Sequence, residues 1–151
     1  MTSVNSLEQE ARLKVNLVLI SHSGTLVEGL REMVGQVAGG EVRVEIAGGT
    51  EDGRLGTSAT KIVSALRIAL APGFDGVPDV LVLLDLGSAA LSLEVALEEL
   101  TERDRARVRI SEAPLVEGAI LAAVQASVGA SIEEVAAAAA GASTMAKMPR
   151  S

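Results

Sequence analysis

The chain has 151 residues, a net charge of −7, 48% hydrophobic residues, one Phe, no Trp or Tyr, and no Cys. This length fits one domain with a single core, which must consist of Val, Leu, Ile and Ala. The acidic charge and the presence of a single aromatic residue argue against nucleic-acid binding, and the lack of Cys excludes disulfides and thiol catalysis.

Residues 1–13 are polar with mixed charge, and we expect a flexible leader there rather than a signal peptide. No apolar run approaches the ~20 residues that a membrane helix needs, so we expect a cytoplasmic protein without membrane contact. The strand and helix patterns of one domain occupy residues 14–141. Residues 142–151 are predicted to form a frayed tail.

The first elements are a strand, a helix and a second strand. The continuous apolar run Val15–Ile20 is typical of a strand that is buried on both faces. Residues Thr25–Ala38 have helical spacing, and Thr25 is the predicted N-cap. Residues 42–47 alternate apolar and charged side chains, which predicts a more exposed strand. We expect the buried face of the helix to include Leu26, Leu30, Met33, Val34 and Val37.

The alternation of strands and helices continues along the rest of the chain. It predicts, in order, a helix over 58–71 capped by Thr57 or Ser58, a central strand over Asp79–Asp85, a helix over Ser88–Leu100, an edge strand over Arg107–Ser111, and helices over Leu115–Gly129 and Ser131–Gly141. This alternation predicts an α/β fold with a doubly wound, mostly parallel sheet of four to five strands and helices on both faces.

Polar side chains follow the carboxyl ends of three predicted strands, where such sheets bind ligands. The sole histidine, His22, follows the first strand, the sequence GGT follows the second, and Asp85 follows the third. His22 is therefore the predicted nucleophile or acid–base group. Asp85 is its predicted partner, which would fix the imidazole tautomer. Taken alone, Asp85 could equally cap the turn into the next helix.

Glycines and hydroxyl side chains at the same three strand ends predict a cleft that accepts an anion. Glycine lets the backbone approach a bulky group, and helix N-termini favour negative charge. Each of these residues is common in turns or at helix starts when taken alone. The prediction therefore depends on their occurring together at three strand ends. The predicted phosphate- or partner-binding residues are Ser21, Ser23, Gly24, Thr25, Gly48, Gly49, Thr50, Thr57, Gly87 and Ser88. With one His and no Cys, no metal and no cofactor are predicted.

Other enzyme classes lack required residues. The chain has neither a P-loop motif nor a G-x-S-x-G motif. A histidine phosphatase needs Arg beside the histidine, where this chain has Ser21. A tetrapyrrole metal chelatase needs a second metal-binding side chain such as His. A non-catalytic domain that binds a small phosphorylated ligand or a protein partner stays open, with His22 serving only as a hydrogen-bonding group.

Three segments together carry a family resemblance: LVLISHSGTLVEGL, IAGGTEDGRLGTSATKI and VLLDLGSAALSLEVALEEL. They resemble DhaM, the family of phosphotransfer subunits of phosphoenolpyruvate-dependent dihydroxyacetone kinases. The first domain of that family is similar to the mannose-type enzyme IIA domain of the bacterial sugar phosphotransferase system. The resemblance covers residues 15–130.

The resemblance implies a phosphate relay. The phosphocarrier protein HPr would phosphorylate His22 at Nε2, with Asp85 as its partner, and His22 would pass the group to ADP held in the kinase subunit DhaL. Some family members carry additional carrier domains, whose steps we expect separate proteins to supply. The resemblance also suggests a homodimer, for which the high Val, Leu and Ala content makes a spare apolar face possible. The nearest alternative is a mannose-type sugar transporter IIA component.

Overall fold

The computed structural model describes residues 14–74 and 76–149, in which helices cover both faces of a parallel sheet. The strands are β1 (Val15–Ser21), β2 (Val44–Gly48), β3 (Asp79–Leu84) and β4 (Val108–Ser111). The α-helices are α1 (Gly24–Ala38), α2 (Ala59–Leu70), α3 (Ala90–Glu98), α4 (Glu102–Arg105), α5 (Leu115–Ser127) and α6 (Ile132–Ala140). Short 3₁₀ helices occupy Gly87–Ala89 and Gly141–Thr144. The predicted α/β class is confirmed.

The strand order β2-β1-β3-β4 places the first and third strands side by side at the centre of the sheet. All three strand pairings are parallel, and the register of β1 against β3 runs from Val15 opposite Asp79 to Ile20 opposite Leu84. The chain therefore leaves β1 and β3 at the same edge of the sheet. The order also reverses between these two strands, which is where open α/β sheets form ligand sites.

Alternate residues of the central strands enter two different hydrophobic cores. Leu17 and Leu19 of β1 pack in the core under α1, α5 and α6, whereas Val18 and Ile20 pack in the core under α2 and α3. Successive strand side chains point to opposite faces, so a strand covered on both faces must be apolar throughout. Helices packed on both faces of the sheet thereby fix the carboxyl ends of β1 and β3.

Helix α1 differs from its prediction in both its cap and its buried face. Its N-cap is Ser23, whose side chain accepts from the Leu26 N–H, and the predicted cap Thr25 lies exposed in the first turn. The helix buries Val27, Leu30, Val34 and Ala38. The predicted core positions Leu26, Met33 and Val37 are instead 45, 51 and 41% exposed. Two apolar stripes run along this helix about 80° apart, and periodicity alone cannot decide which one faces the sheet.

The C-terminal part of the described chain completes the layer that contains α1. Ser131 caps α6 in a reciprocal capping box with Glu134, as the sequence pattern predicts. In the following 3₁₀ helix Ala142 is buried. The predicted leader, residues 1–13, lies outside the described residues, and the division into leader, domain and tail stays a prediction. No helix among residues 14–74 and 76–149 combines the length and apolarity that crossing a bilayer requires.

Candidate functional site

His22 and Asp85 meet at the carboxyl edge of the sheet, in the turns that follow β1 and β3. Their side chains are 26 and 14% exposed, so both are sheltered and the imidazole remains accessible. The Nδ1 atom of His22 lies 3.0 Å from Oδ1 of Asp85. The structure thus brings together the predicted nucleophile and its predicted partner, which are 63 residues apart in the chain.

Asp85 is held by donors on both carboxylate oxygens. Oδ2 accepts from the His22 backbone N–H and from the Ser21 hydroxyl, each at 2.9 Å, and Oδ1 accepts from the Leu86 N–H at 2.7 Å. Burial raises the pKa of Asp85, but the hydrogen bonds from His22, Ser21 and Leu86 outweigh it and lower the pKa below its ordinary value. The carboxylate is therefore ionised at neutral pH.

These contacts determine which ring nitrogen of His22 can act as a nucleophile. An ionised carboxylate only accepts hydrogen bonds, so Nδ1 of a neutral imidazole must carry the proton that faces Asp85. The lone pair is then on Nε2, which lies 2.9 Å from the Ser88 hydroxyl, and that hydroxyl donates to it. The ring is held at both nitrogens, and rotation of the Ser88 hydroxyl leaves Nε2 free to attack an electrophile.

Ser21 contacts Asp85 directly, and Ser23 contacts Ser21. Ser21 is buried, and its hydroxyl donates to Asp85 while accepting from the Ser23 N–H at 3.0 Å. We therefore assign Ser21 to orienting Asp85, in place of the predicted contact with a phosphate or partner. The Ser23 side chain is similarly engaged as the cap of α1, accepting from Leu26 N–H at 3.1 Å.

Glycines join the end of β2 to the start of α1. A Cβ atom at Gly48 would lie 2.6 Å from Cγ1 of Val27 and 2.8 Å from Cα of Gly24, so only glycine fits this approach. Gly49 has a φ of 75° and donates its N–H to the Ser21 carbonyl at 3.1 Å. Gly56, at the end of the same loop, donates to the His22 carbonyl at 2.9 Å. The loop after β2 is thus tied to the His22 turn at both ends.

Replacing Gly48 with alanine is expected to lower the free energy of unfolding by about 1–3 kcal/mol, the usual cost of overpacking. The added methyl group must displace either Val27 or the backbone of Gly24. Chemical denaturation measures the effect. The matched control is Gly35→Ala in α1, where the new Cβ meets no atom within 4 Å. Equal stability of Gly48→Ala and wild type would show that this packing is looser than described.

The other predicted site residues lie around the imidazole without contacting it through their side chains. The Thr50 hydroxyl donates to Asp52 and accepts from the Arg54 N–H, which shapes the loop after β2. The Thr57 hydroxyl lies 2.6 Å from that of Ser92. Gly87 begins the 3₁₀ helix that carries Ser88.

Several backbone N–H groups near His22 are available to an anion. Within the described part of the chain, the N–H groups of Gly24 and Thr25 at the start of α1, and those of Gly87 and Ser88, have no hydrogen-bond partner. Unpaired N–H groups at helix N-termini favour phosphate and carboxylate ligands. The turns after β1 and β3 therefore hold, in the same segments as the imidazole, unpaired donors for a negatively charged group.

Lys61 and Ser92 contact residues at the ends of the strands and are not among the predicted site residues. The Lys61 ammonium donates to the Gly48 carbonyl at 3.1 Å, and Ser92 pairs with Thr57. A lysine in the first turn of a helix opposes the helix dipole, and this anomaly is the signal that could have identified Lys61. Ser92 lies in an ordinary helical position and offers no comparable signal.

Comparison with known proteins gives a family match and close relatives. Residues 16–136 match the family model EIIA-man, described as the PTS system fructose IIA component. The chain is 42% identical over 121 residues to the PEP-dependent dihydroxyacetone kinase 2 phosphoryl donor subunit DhaM of Listeria innocua, covering 80% of this chain and 93% of that protein. It is 42% identical over 124 residues to the corresponding DhaM of Escherichia coli K12, covering 80% of this chain but only 25% of that longer protein.

A solved structure shares the fold. The crystal structure titled unknown function protein EF1359 superposes with a TM-score of 0.74 at 35% sequence identity. The match covers 85% of this chain and 94% of that protein. The parallel sheet and its helical layers are therefore those of an experimentally observed fold.

Proposed function

Because this chain belongs to the EIIA-man family of PTS IIA components, we propose that it is a phosphoryl-relay protein of a dihydroxyacetone kinase system. It accepts phosphate from phospho-HPr on His22 and passes it to ADP bound in the kinase subunit DhaL. The family matches confirm the resemblance predicted from the three strand-end segments. The relay itself is supported by the names of the relatives, which describe phosphoryl donor subunits of dihydroxyacetone kinases.

The observation that carries the proposal is the state of the His22 ring. Nδ1 faces the ionised Asp85 at 3.0 Å, Nε2 presents its lone pair to the Ser88 hydroxyl at 2.9 Å, and the backbone N–H groups of Gly87 and Ser88 are unpaired. A neutral imidazole oriented by a carboxylate is a competent nucleophile, and oriented donors stabilise the charge on a transferred group. A site at which a histidine is phosphorylated needs both features.

The proposed transfer proceeds in two displacements at phosphorus. First, the Nε2 lone pair attacks the phosphoryl group of phospho-HPr, the Nε2–P bond forms, and the bond from phosphorus to the donor nitrogen breaks. The ring becomes more positive in this step, and the adjacent Asp85 stabilises it. Then a terminal phosphate oxygen of ADP attacks the same phosphorus, the Nε2–P bond breaks, and ATP forms. His22 returns to its neutral form and no proton is consumed.

Two alternatives keep the fold but change the role. A sugar transporter IIA component is favoured by the description of the matching family model, which names a fructose system. A non-catalytic domain would bind a small phosphorylated ligand or a partner and use His22 only as a hydrogen-bonding group. Six relatives that are 35 to 42% identical are named as dihydroxyacetone kinase subunits, which favours the first proposal.

Reconstitution of the relay distinguishes the three functions. Phosphoenolpyruvate, enzyme I and HPr are mixed with this protein, with DhaL loaded with ADP, and with the dihydroxyacetone-binding subunit. We expect dihydroxyacetone phosphate to form only when this protein is present, and its intact mass to increase by one phosphate when DhaL is omitted. Phosphorylation without transfer to DhaL would favour the transporter component, and no mass increase would favour the non-catalytic domain.

We further propose that the protein is a homodimer, as the family resemblance suggests. Light scattering at micromolar concentration is then expected to give about twice the 15.4 kDa of one chain.

A further inference from the structure

A cleft of about 900 Å³ opens at the amino ends of β3 and β4, at the edge of the sheet opposite His22. We call it the amino-edge cleft, and its walls come from the end of α2, the segment that leads into β3, helix α4 and the residue before β4. Three arginines line it: Arg67 of α2, Arg103 of α4, and Arg107. The chain has a net charge of −7, so its overall composition does not explain three arginines in one place.

Arg107 is a fixed part of the wall. Its side chain is 19% exposed, and its guanidinium donates to the carbonyls of Pro78 and Leu70 at 2.8 and 3.1 Å. It also donates to Oδ1 of Asp104 at 2.9 Å. These bonds join the start of β3 to the end of α2, so the fold itself accounts for this arginine. Among the described residues, its Nε–H and one N–H of Nη1 have no partner.

Arg67 and Arg103 have no comparable role in the fold. Both are exposed, and the Arg67 guanidinium has a single long contact, at 3.4 Å from the Glu99 carbonyl oxygen. Arg103 has neither a hydrogen bond nor an ion pair within residues 14–74 and 76–149. Two guanidinium groups without a carboxylate partner there thus line one cleft. Because the planar guanidinium presents paired N–H donors that match the oxygens of phosphate, the ligand class they favour is a phosphate group.

Carboxylates on the same wall limit where negative charge can lie. Asp79 and Asp104 both line the cleft, so a second anionic group close to them would be repelled. Oδ1 of Asp104 is held by Arg107, whereas its Oδ2 has no hydrogen-bond partner in the described part of the chain. An ionised carboxylate only accepts hydrogen bonds, and a hydroxyl group is a suitable donor. The cleft therefore suits a molecule with a phosphate at one end and hydroxyl groups along the rest.

Size and lining distinguish a sugar from a nucleoside as the rest of that molecule. The volume of the cleft is within the range of about 300–1,000 Å³ that is usual for small-molecule sites. Phe74 is the one aromatic residue of the chain, and it is fully exposed and does not line the cleft. A nucleobase would therefore find no ring to stack on. A sugar needs hydrogen-bonding groups, and these are present.

We infer that the amino-edge cleft binds a sugar phosphate. Arg67 and Arg103 hold the phosphate group, and Oδ2 of Asp104 accepts a hydrogen bond from a sugar hydroxyl. Strand β1 has seven residues, so about 20 Å of sheet separates this ligand from His22. A molecule in the cleft does not touch the groups of the proposed relay, and the inference does not depend on that proposal.

Calorimetric titration of the full chain tests the inference with fructose 6-phosphate, glucose 6-phosphate and ribose 5-phosphate as probes. We expect at least one of them to bind, inorganic phosphate to bind at least tenfold more weakly, and glucose not to bind. Arg67→Gln and Arg103→Gln should each weaken binding of the sugar phosphate at least tenfold, because each removes a guanidinium from the phosphate. Both positions are exposed, and a thermal melt checks that each variant is folded.

Two controls separate this cleft from other places where an anion could bind. Arg31→Gln removes the same charge from an exposed position on α1 and should bind as wild type does. His22→Gln should also keep the wild-type affinity, because the unpaired N–H groups near His22 lie at the other edge of the sheet. Weaker binding confined to His22→Gln would place the anion at that edge and overturn the inference.

The remaining outcomes are equally decisive. Tenfold weaker binding by both cleft variants, with both controls unchanged, supports the inference. Wild-type affinity of either cleft variant overturns it, as does a failure of all three sugar phosphates to bind. Equal affinity for inorganic phosphate and the sugar phosphates overturns the assignment of a sugar. Phosphoryl uptake from phospho-HPr, measured in parallel, bears on the relay alone.

Discussion

Replacing His22 with alanine is expected to abolish phosphoryl uptake from phospho-HPr, the largest effect that we predict for one substitution. His22 is the sole histidine among 151 residues, and its Nε2 is the proposed nucleophile, because Nδ1 contacts Asp85 at 3.0 Å. Transfer of labelled phosphate from phospho-HPr, followed by intact-mass measurement, gives the result directly. The label on wild type should be labile in acid and stable in base, as is typical of phosphohistidine and not of phosphoserine.

Two controls separate lost chemistry from lost structure. His22→Gln keeps a polar side chain beside Asp85 and should also fail to take up phosphate while melting near the wild-type temperature. Gln125→Ala, on α5 and remote from the strand ends, should be phosphorylated normally. Retention of label by His22→Ala, on Ser21 or Ser23 for example, would contradict the assignment of the nucleophile.

Replacing Asp85 with asparagine is expected to preserve the fold and slow transfer from phospho-HPr at least tenfold. Groups that orient a reacting base or hold its proton contribute ~10²–10⁴-fold, and asparagine retains part of the hydrogen bonding. The variant loses the charge that fixes the proton on Nδ1 and that stabilises the ring when it becomes positive. Stopped-flow transfer measures the rate, and a thermal melt checks the fold.

The competing role for Asp85 is structural. Its Oδ1 accepts from the Leu86 N–H at 2.7 Å, and asparagine is also a good acceptor in such turns. If Asp85 only shapes the turn, Asp85→Asn should transfer at the wild-type rate. The matched control is Asp104→Asn, which removes the same charge from an ion pair with Arg107 and should not alter transfer. A folded Asp85→Asn protein with the wild-type rate ends the pairing hypothesis.

The lowered pKa of Asp85 gives this variant a second readout. Hydrogen bonds from His22, Ser21 and Leu86 to the ionised carboxylate stabilise the folded state above the ordinary pKa range of aspartate, and this contribution is lost as the pH falls through the lowered value. Asparagine does not titrate. The difference in stability between wild type and Asp85→Asn should therefore decrease on acidification over that range.

The sheet and the central pair of the site could be predicted because their signals are strong and local. The runs Val15–Ile20 and Asp79–Asp85 are apolar at nearly every position, which requires burial on both faces and hence a parallel sheet. The carboxyl ends of parallel strands share one edge, so His22 and Asp85 had to lie near each other once both strands were assigned to the centre. One sequence is enough to predict an arrangement of strands when the burial of their side chains is compatible with only that arrangement.

The details that differed depend on tertiary packing. Thr25 and Ser23 are both good N-caps, and only the path of the chain out of β1 selects Ser23. Leu26 and Val27 begin two apolar stripes on α1, and the sheet below decides which is buried. Ser21 was expected beside a ligand, but the parity of β1 turns its hydroxyl inward to Asp85. No local pattern encodes these three choices.

The separation of His22 and Asp85 along the chain has a consequence for biogenesis. The two residues meet only through the β1–β3 pairing, which joins segments more than 60 residues apart and must close a loop that contains α1, β2 and α2. Long-range parallel pairings form slowly, because closing the loop costs entropy before any contact compensates it. Nascent or misassembled chains that lack this ladder hold no oriented imidazole. In the proposed relay such chains would therefore not divert phosphate, and acceptance of a phosphoryl group would report that the centre of the sheet is complete.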